Sequence, residues 1–336
     1  MTAEEAAAVL AEIAYRLRHD PEQSFRARAY GNAAAALNRL KPDLEQLRAE
    51  GRLESIPGIG SGIAKVLVEL VDTGTSAYAE KLREAVGEPV AAPPDAGVNV
   101  GQLRGDLHSH TDWSDGGATV LEMARAAQAR GYSYLAITDH SPRMTVVNGL
   151  GPERLAAQAA EIRRAMEQLP GFRILRGIEC DILEDGSLDL PDEVLAELEV
   201  VIISPHLKLK MEPAAMTERM LRAVANPHAD IVGHPTGRML GRRPGATYDF
   251  EAVFKEAARH HTAMEIDTDP ARMDLGPELA RLAADCGCRL SLDSDAHGPD
   301  ELVYVDAGAW MARQAGIGPD LLLNCLELPD LLADLR

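Results

Sequence analysis

The feature that most constrains this chain is a repeated alternation of two hydrophobic periods. Short apolar runs stand at 103–107, 134–137, 174–178, 200–204, 231–233, 263–266 and 290–292. Between most of them lie stretches with helical apolar spacing, among them 120–129, 153–168, 216–225, 250–260 and 278–286. Strands joined through helices make a parallel sheet, because parallel neighbours need a crossover long enough to hold a helix. Closing such a sheet into a barrel puts every strand's C-terminal end on one face, where enzymes of this architecture keep their chemistry. With seven runs visible, the expectation is an α/β chain with a distorted (β/α)7 barrel, one strand short of the regular eight.

The residues that close those runs narrow the chemistry. They read Asp106-Leu-His-Ser-His110 with Asp115 just beyond, Thr138-Asp-His140, Gly177-Ile-Glu179, Ser204-Pro-His206, Gly233-His234 and Asp293-Ser-Asp295-Ala-His297. Residues two apart on a strand point the same way, so His108 and His110 present two imidazoles to one side. A lone polar residue at a loop mouth is ordinary. Six of seven strand ends carrying histidine or carboxylate, and drawing on six of the chain's ten histidines, form a convergent set. His228, His260, His261 and His19 fall elsewhere and are given no role.

The nine donors are His108, His110, Asp115, His140, Glu179, His206, His234, Asp295 and His297. Zinc takes about four ligands, commonly three protein groups and a water at catalytic sites. Nine therefore imply two or three divalent ions with a bridging carboxylate. Imidazole and carboxylate without thiolate suit manganese, zinc or iron and do not choose among them. Clustered ions acidify bound water and clamp phosphoryl oxygens. The chemistry indicated is phosphate-ester hydrolysis with no serine or cysteine nucleophile.

Composition excludes several classes. A net charge of -19 with a pI near 4.9 argues against nucleic-acid binding by bulk electrostatics. The four cysteines show neither a disulfide framework nor Cys-x-x-Cys spacing, which suits a reducing, cytoplasmic location. Residues 1–20 lack the basic start and apolar run of a signal peptide, and no run reads as a membrane span.

Ahead of the barrel pattern the chain reads as helical. Helical spacing covers 4–18 and 24–40, a glycine turn follows at 56–60, and further helices run from about 62 and over 77–86. Gly58 and Gly60 let the backbone turn sharply and leave N–H groups outward at a helix N-terminus, a seat for a phosphate. Residues 87–97 are dense in Pro and Gly and read as a linker. The expected division is a helical unit at 1–88, a linker at 89–103 and the barrel at 104–336.

Two resemblances sharpen this reading. Arg28-Ala-Tyr30, Ile56-Pro-Gly-Ile-Gly60 and Thr73-Gly74 resemble the small N-terminal helix-hairpin-helix domain of family X DNA polymerases, whose hairpin grips the DNA backbone without reading sequence. The resemblance implies DNA contacts at Gly58, Gly60, Arg26 and Arg28, with Arg39 and Lys41 in the same basic cluster. Relatives with lyase activity use a lysine at the position matched here by Val66, with Lys65 facing elsewhere, so no lyase activity is expected. Residues 1–90 hold 11 Lys and Arg against 14 Asp and Glu, so any grip on DNA is local and weak.

From residue 104 onward the segments are similar, motif by motif, to the PHP (polymerase and histidinol phosphatase) superfamily, in particular to the PHP domain of bacterial family X polymerases. Gly233-His-Pro-Thr-Gly-Arg238 with Arg242-Arg-Pro-Gly245 is the most distinctive part. The resemblance implies a trinuclear centre. His108, His110, Glu179 and Asp295 would hold one ion, Glu179 would bridge to a second with His206 and His234, and Asp115, His140 and His297 would hold the third. Arg238 and Arg272, followed by Lys208 and Lys210, are the expected phosphate contacts, with salt bridges to nearby acids as the alternative role. Asp267 and Asp269 stand where relatives commonly carry asparagine.

No polymerase core separates the two units, so no DNA synthesis is expected. The expected function is a metal-dependent phosphoesterase acting on DNA ends, as a 3′–5′ exonuclease or 3′-end-cleaning enzyme in DNA repair. A small-molecule phosphatase of the histidinol-phosphate type is the alternative that the charge favours. A DNA-binding adaptor with a structural PHP domain is the second alternative, and the complete ligand set speaks against it.

Overall fold

The computed structural model describes residues 1–17, 23–86 and 98–335. The linker read at 87–97, His19 and the side chains of Arg28 and Arg39 lie outside the described residues.

The first unit is built of α1 (Ala3–Leu17), α2 (Ser24–Leu40), α3 (Leu44–Ala49), α4 (Ser61–Thr73) and α5 (Ala77–Val86). Their apolar faces share one core that includes Leu10, Ile13, Leu37, Leu44, Leu67 and Leu70. The turn before α4 belongs to Gly58, whose φ of 82° only glycine adopts freely. Gly60 does not make that turn. Its φ of -88° is ordinary extended backbone, and it serves as the N-cap of α4. Val66 is buried in the core while Lys65 is exposed.

The second unit runs β1 (Gly105–Asp106), α6 (Val120–Ala129), β2 (Tyr134–Ile137), α7 (Pro152–Glu167), β3 (Arg173–Asp181), α8 (Asp192–Leu195), β4 (Val200–Ser204), α9 (Pro213–Val224), β5 (Ile231–Val232), α10 (Phe250–His260), β6 (Ala263–Asp267), α11 (Pro277–Asp285), β7 (Leu290–Asp293), α12 (Val305–Gln314) and α13 (Leu328–Asp334). The seven strands pair in chain order, every pair parallel. A bridge between Ser109 and Ala296 links the first strand to the last, so the barrel is nearly closed. This is the expected (β/α)7 architecture behind a small all-α unit.

Strand parity divides the core in two. Leu107, Tyr134, Ala136, Leu175, Val200, Ile202, Ile231 and Ala263 fill the barrel, and Leu323 and Leu331 join them from the C-terminal segment. Outward-facing Ile137, Ile178, Ile203, Val232, Ile266 and Leu292 pack against the helices. Cys180, next to Glu179, is buried in that outer core and takes no part in the site. Side-chain capping fixes where helices begin: Thr119 accepts from the Glu122 N–H to start α6, and Asp249 accepts from the Ala252 N–H, 3.0 Å away, to start α10.

The first strand is shorter than the apolar run at 103–107 suggested, with only Gly105 and Asp106 in the ladder. Beyond it, side chains replace ladder partners. The Leu107 N–H donates to Asp293 Oδ1 at 2.8 Å and the His108 N–H to Asp106 Oδ1 at 3.2 Å. Among the described residues no helix is long and apolar enough to cross a membrane.

Candidate metal centre

Every strand delivers a polar side chain to one end of the barrel, and Glu179, from β3, stands at the middle. Its Oε1 lies 2.7 Å from His234 Nε2, 3.1 Å from His206 Nε2 and 3.6 Å from His108 Nε2. Its Oε2 lies 2.8 Å from His140 Nδ1 and 3.7 Å from His110 Nε2. Asp295 Oδ1 stands 3.0 Å from His110 Nε2 and 3.6 Å from His108 Nε2. Asp115 Oδ2 is 3.5 Å from both His140 Nε2 and His297 Nε2. All nine expected donors therefore meet in one cluster.

Four overlapping groups have ligand atoms mutually within 4.8 Å: His110, Asp115, His140 and His297; His108, His110 and Asp295; His108, Glu179 and His234; and His140, Glu179 and His206. The sharing differs from the expected three sets, because His108, His110 and His140 each reach two groups. Asp115 and His297 leave the first group open to solvent, whereas the donors of the other three are buried.

The imidazoles are oriented as metal ligands are. His108 Nδ1 is 2.6 Å from Glu265 Oε1, His206 Nδ1 is 2.8 Å from Asp181 Oδ1, and His297 Nδ1 is 2.8 Å from the Asp295 carbonyl. Each contact assigns the proton to Nδ1 and leaves the Nε2 lone pair facing the cluster. Buried atoms there lack hydrogen-bond partners, including His108 Nε2, His110 Nε2, His206 Nε2 and Glu179 Oε2. Burying that many unpaired acceptors is unfavourable unless something electropositive joins them. Divalent cations fit that need, and the donor set suits several of them.

The surrounding charge points the same way. Burial drives His110 down to about 3, helped by His297 and His140, and His234 to about 3, helped by Arg272. Both imidazoles are therefore neutral and able to ligate. Against burial, the neighbouring carboxylates raise His108 and His206 and hold His140 up at about 10 and His297 at about 9. Those four rings carry protons that a bound cation would displace. Burial, then the neighbouring Asp293 and Asp295, raises Glu265 to about 7. Asp267 is held well above the usual carboxylate range by burial and by Asp295 and Glu265. A site with this surplus of carboxylates favours cations. The backbone is also strained here: His234 and Asp295 adopt φ of 28° and 50°, a region non-glycine residues rarely enter. Gly233 must be glycine, since a Cβ there would stand 2.5 Å from Ser204 Oγ and 2.6 Å from Ile202 Cγ2.

The expected phosphate contacts divide. Arg272 is committed through Nε to Asp295 Oδ2 at 3.2 Å and Asp267 Oδ2 at 3.5 Å, the salt-bridge role, yet its Nη1 is buried without a partner. Arg238 donates Nε to the Arg272 carbonyl at 2.9 Å, and its Nη2 is likewise buried and unpartnered. Lys208 instead pairs with Glu184 at 3.2 Å on the surface, because its positive φ of 58° turns the chain there, and Lys210 is exposed. In the helical unit, Arg26 is exposed, bonded to Gln23 Oε1 at 2.9 Å and stacked over Tyr78 at 5.1 Å. Lys41 pairs with Glu4 at 3.2 Å.

Three braces escaped the sequence reading. Glu265 sits mid-strand on β6, and its other oxygen accepts the His234 N–H. Asp181 lies two residues beyond Glu179, so strand parity could have flagged it. Asp139 accepts from the Thr111 N–H, the Thr111 hydroxyl, Ser114 and Gln158, tying down the loop between His110 and Asp115.

A β/α barrel whose strand ends gather imidazole and carboxylate donors for several cations is the frame of a metal-dependent hydrolase. Comparisons with known proteins agree. Residues 106–269 match the PHP domain and residues 1–76 a helix-hairpin-helix domain. A probable phosphatase of Thermoanaerobacter sp. is 32% identical over 65% of this chain and 89% of its own length. The DNA polymerase/3′-5′ exonuclease PolX of Bacillus subtilis is 41% identical over 71% of this chain, but this chain spans only 42% of that protein. A solved histidinol phosphate phosphatase from Lactococcus lactis covers 63% of this chain and 94% of its own at 17% identity, with a TM-score of 0.45, too remote to carry an argument. The chain belongs to the PHP domain family, here joined to a helix-hairpin-helix domain, and its PHP part is similar to that of a family X polymerase, without the polymerase core.

Proposed function

We propose that this enzyme hydrolyses phosphate esters at DNA 3′ ends, as a 3′–5′ exonuclease or 3′-end-processing enzyme in repair, using two or three manganese, zinc or iron ions. The observation that carries the metal chemistry is Glu179, whose two oxygens face five imidazoles in a buried cluster. Held by the nine donors, such ions supply a water acidic enough to deprotonate near neutral pH and charge to polarise the phosphoryl group. The protein's own contribution is orientation: Glu265 and Asp181 fix the rings of His108 and His206, and Arg272 offsets the excess of carboxylate. The unpartnered N–H groups of Arg272 and Arg238 suit two phosphoryl oxygens, since guanidinium pairs with phosphate through directed hydrogen bonds. Support for DNA comes from the helix-hairpin-helix match and from the activity that the Bacillus relative's name states.

The second reading, a small phosphomonoesterase, is favoured by the probable phosphatases and by the net charge of -19. A manganese-supplemented assay separates the two, using 3′-labelled single-stranded and gapped DNA beside histidinol phosphate, with His206→Ala as control. Stepwise 3′ shortening lost in the variant supports the nuclease. Phosphate release from the small ester with intact DNA overturns it in favour of the second reading.

A further inference from the structure

The helical unit lies along α12 on the barrel's flank and extends past it. It rests on the two segments that leave β6 and β7 at the metal-bearing end. At the first contact, Gly31 of α2 faces Pro270, and a Cβ on Gly31 would stand 3.2 Å from Pro270 Cβ and 3.7 Å from its Cγ. At the second, a cleft of about 300 Å³ separates Asn32, Pro57 and Gly58 from Glu301, Val303 and Tyr304. Glu301 reaches from that cleft to the centre itself, where its Oε2 accepts the His297 N–H at 2.7 Å. Ala8 of α1 also packs against the barrel's outer core.

Pro270 stands in the tight turn that presents both guanidinium groups. Asp269 Oδ1 accepts the Ala271 N–H at 2.8 Å, and the Asp269 carbonyl accepts from Arg272 and Met273 at 2.8 and 2.9 Å. The turn then sends Arg272 to Asp295, while its Ala271 and Arg272 carbonyls accept from the Leu240 N–H and Arg238 Nε. A shift of Pro270 therefore moves one rigid turn, and with it two donors. A glycine inside α2 costs helix stability, so its presence here marks a position where closeness to Pro270 outweighs local preference.

We infer that Gly31 is a positioning residue: by seating α2 directly on Pro270, the helical unit holds the Arg272–Arg238 pair in register with the metal centre. This rests on the reading that those guanidinium groups receive the phosphoryl oxygens. The consequence is that the helical unit serves hydrolysis of every ester, including one too small to touch it. Removing the unit would then impair small-ester turnover as well as activity on DNA.

The test is Gly31→Ala in the full manganese-loaded chain. The added methyl forces Pro270 to move by a few tenths of an ångström, while alanine favours the helix and guards against unfolding. KM for p-nitrophenyl phosphate is expected to rise about three- to tenfold with kcat held, the signature of binding lost equally from the ground and transition states. The dissociation constant of inorganic phosphate, read by calorimetry, should rise in parallel with no fall in Tm. Pro270→Gly should couple to Gly31→Ala non-additively, since it removes the atoms the methyl meets. Unchanged KM and phosphate affinity at unchanged Tm overturn the inference, as does a loss of kcat that only tracks a loss of Tm. If the wild type hydrolyses no ester at all, the phosphoesterase reading fails, and phosphate binding still decides this inference.

Discussion

Arg219 offers the sharpest test of how the ligand-bearing strand ends are held. It lies on α9 with 2% of its surface exposed, and its guanidinium donates to three main-chain carbonyls, with the Met211 and Met216 sulfurs each 3.8 Å from Nη1. Nε reaches Leu183 at 2.8 Å, Nη1 reaches Leu207 at 2.8 Å, and Nη2 reaches Ile182. Two of these carbonyls adjoin the site, Ile182 following Asp181 and Leu207 following His206, the very pair bonded at 2.8 Å. The Leu183 carbonyl also accepts from Gly186 at 3.0 Å and keeps that partner without Arg219. Arg219→Met preserves bulk beside Met211 and Met216 but leaves the buried Ile182 carbonyl unsatisfied, while the carbonyl of exposed Leu207 can turn to water. At about 1–3 kcal/mol for a stranded buried carbonyl, the substitution should destabilise the metal-free protein by about 1–3 kcal/mol. Arg219→Lys, with one compact donor group for three acceptors, should fall between. Urea unfolding followed by circular dichroism and extrapolated to zero denaturant measures both. A loss below about 1 kcal/mol for Arg219→Met would refute the reasoning, because it would mean the Ile182 carbonyl finds another donor at little expense.

Two further outcomes follow from the placement of residues above and below the centre. Leu175→Ala empties part of the barrel interior and should destabilise the fold by about 2–5 kcal/mol in thermal unfolding, while manganese bound per folded chain, measured by elemental analysis, stays at the wild-type value. Glu179→Gln should do the reverse: at least one ion per chain is lost, activity falls about 100-fold or more, and the metal-free protein unfolds near the wild-type temperature, because one oxygen shared among several imidazoles cannot be replaced by an amide nitrogen.

What could be read in advance follows the range over which the physics acts. The seven runs were legible because strand and helix periods are local. The convergence of the nine side chains was legible because their types recur at the strand ends. β1 was misjudged because its length is decided by Asp293, 186 residues away in sequence, whose carboxylate takes the Leu107 N–H from the ladder. Glu265 carried no local signal, since its role is fixed by His108, 157 residues distant. Lys208 looked like a phosphate contact from its place after His206, but a positive φ turns it to Glu184 instead. Gly60 was given a share of a turn that Gly58 makes alone.

The carboxylates show why ligand and brace are hard to separate from sequence. Glu179 and Asp181 share a strand face, yet one faces five imidazoles and the other only orients His206. The difference is depth along the strand. Glu179 pairs with Ile202, two residues before the end of β4, while Asp181 pairs with Ser204 at its end. His206 leaves β4 beyond Ser204 and folds back, so its Nδ1 meets Asp181 and its Nε2 meets Glu179. One imidazole thus spans the two carboxylates, and the strand register decides which of them it turns toward the ions. A shift of β4 by two residues would exchange those roles without altering a single residue type, which is why the centre depends on struts such as Arg219 that fix the ends of β3 and β4 against each other.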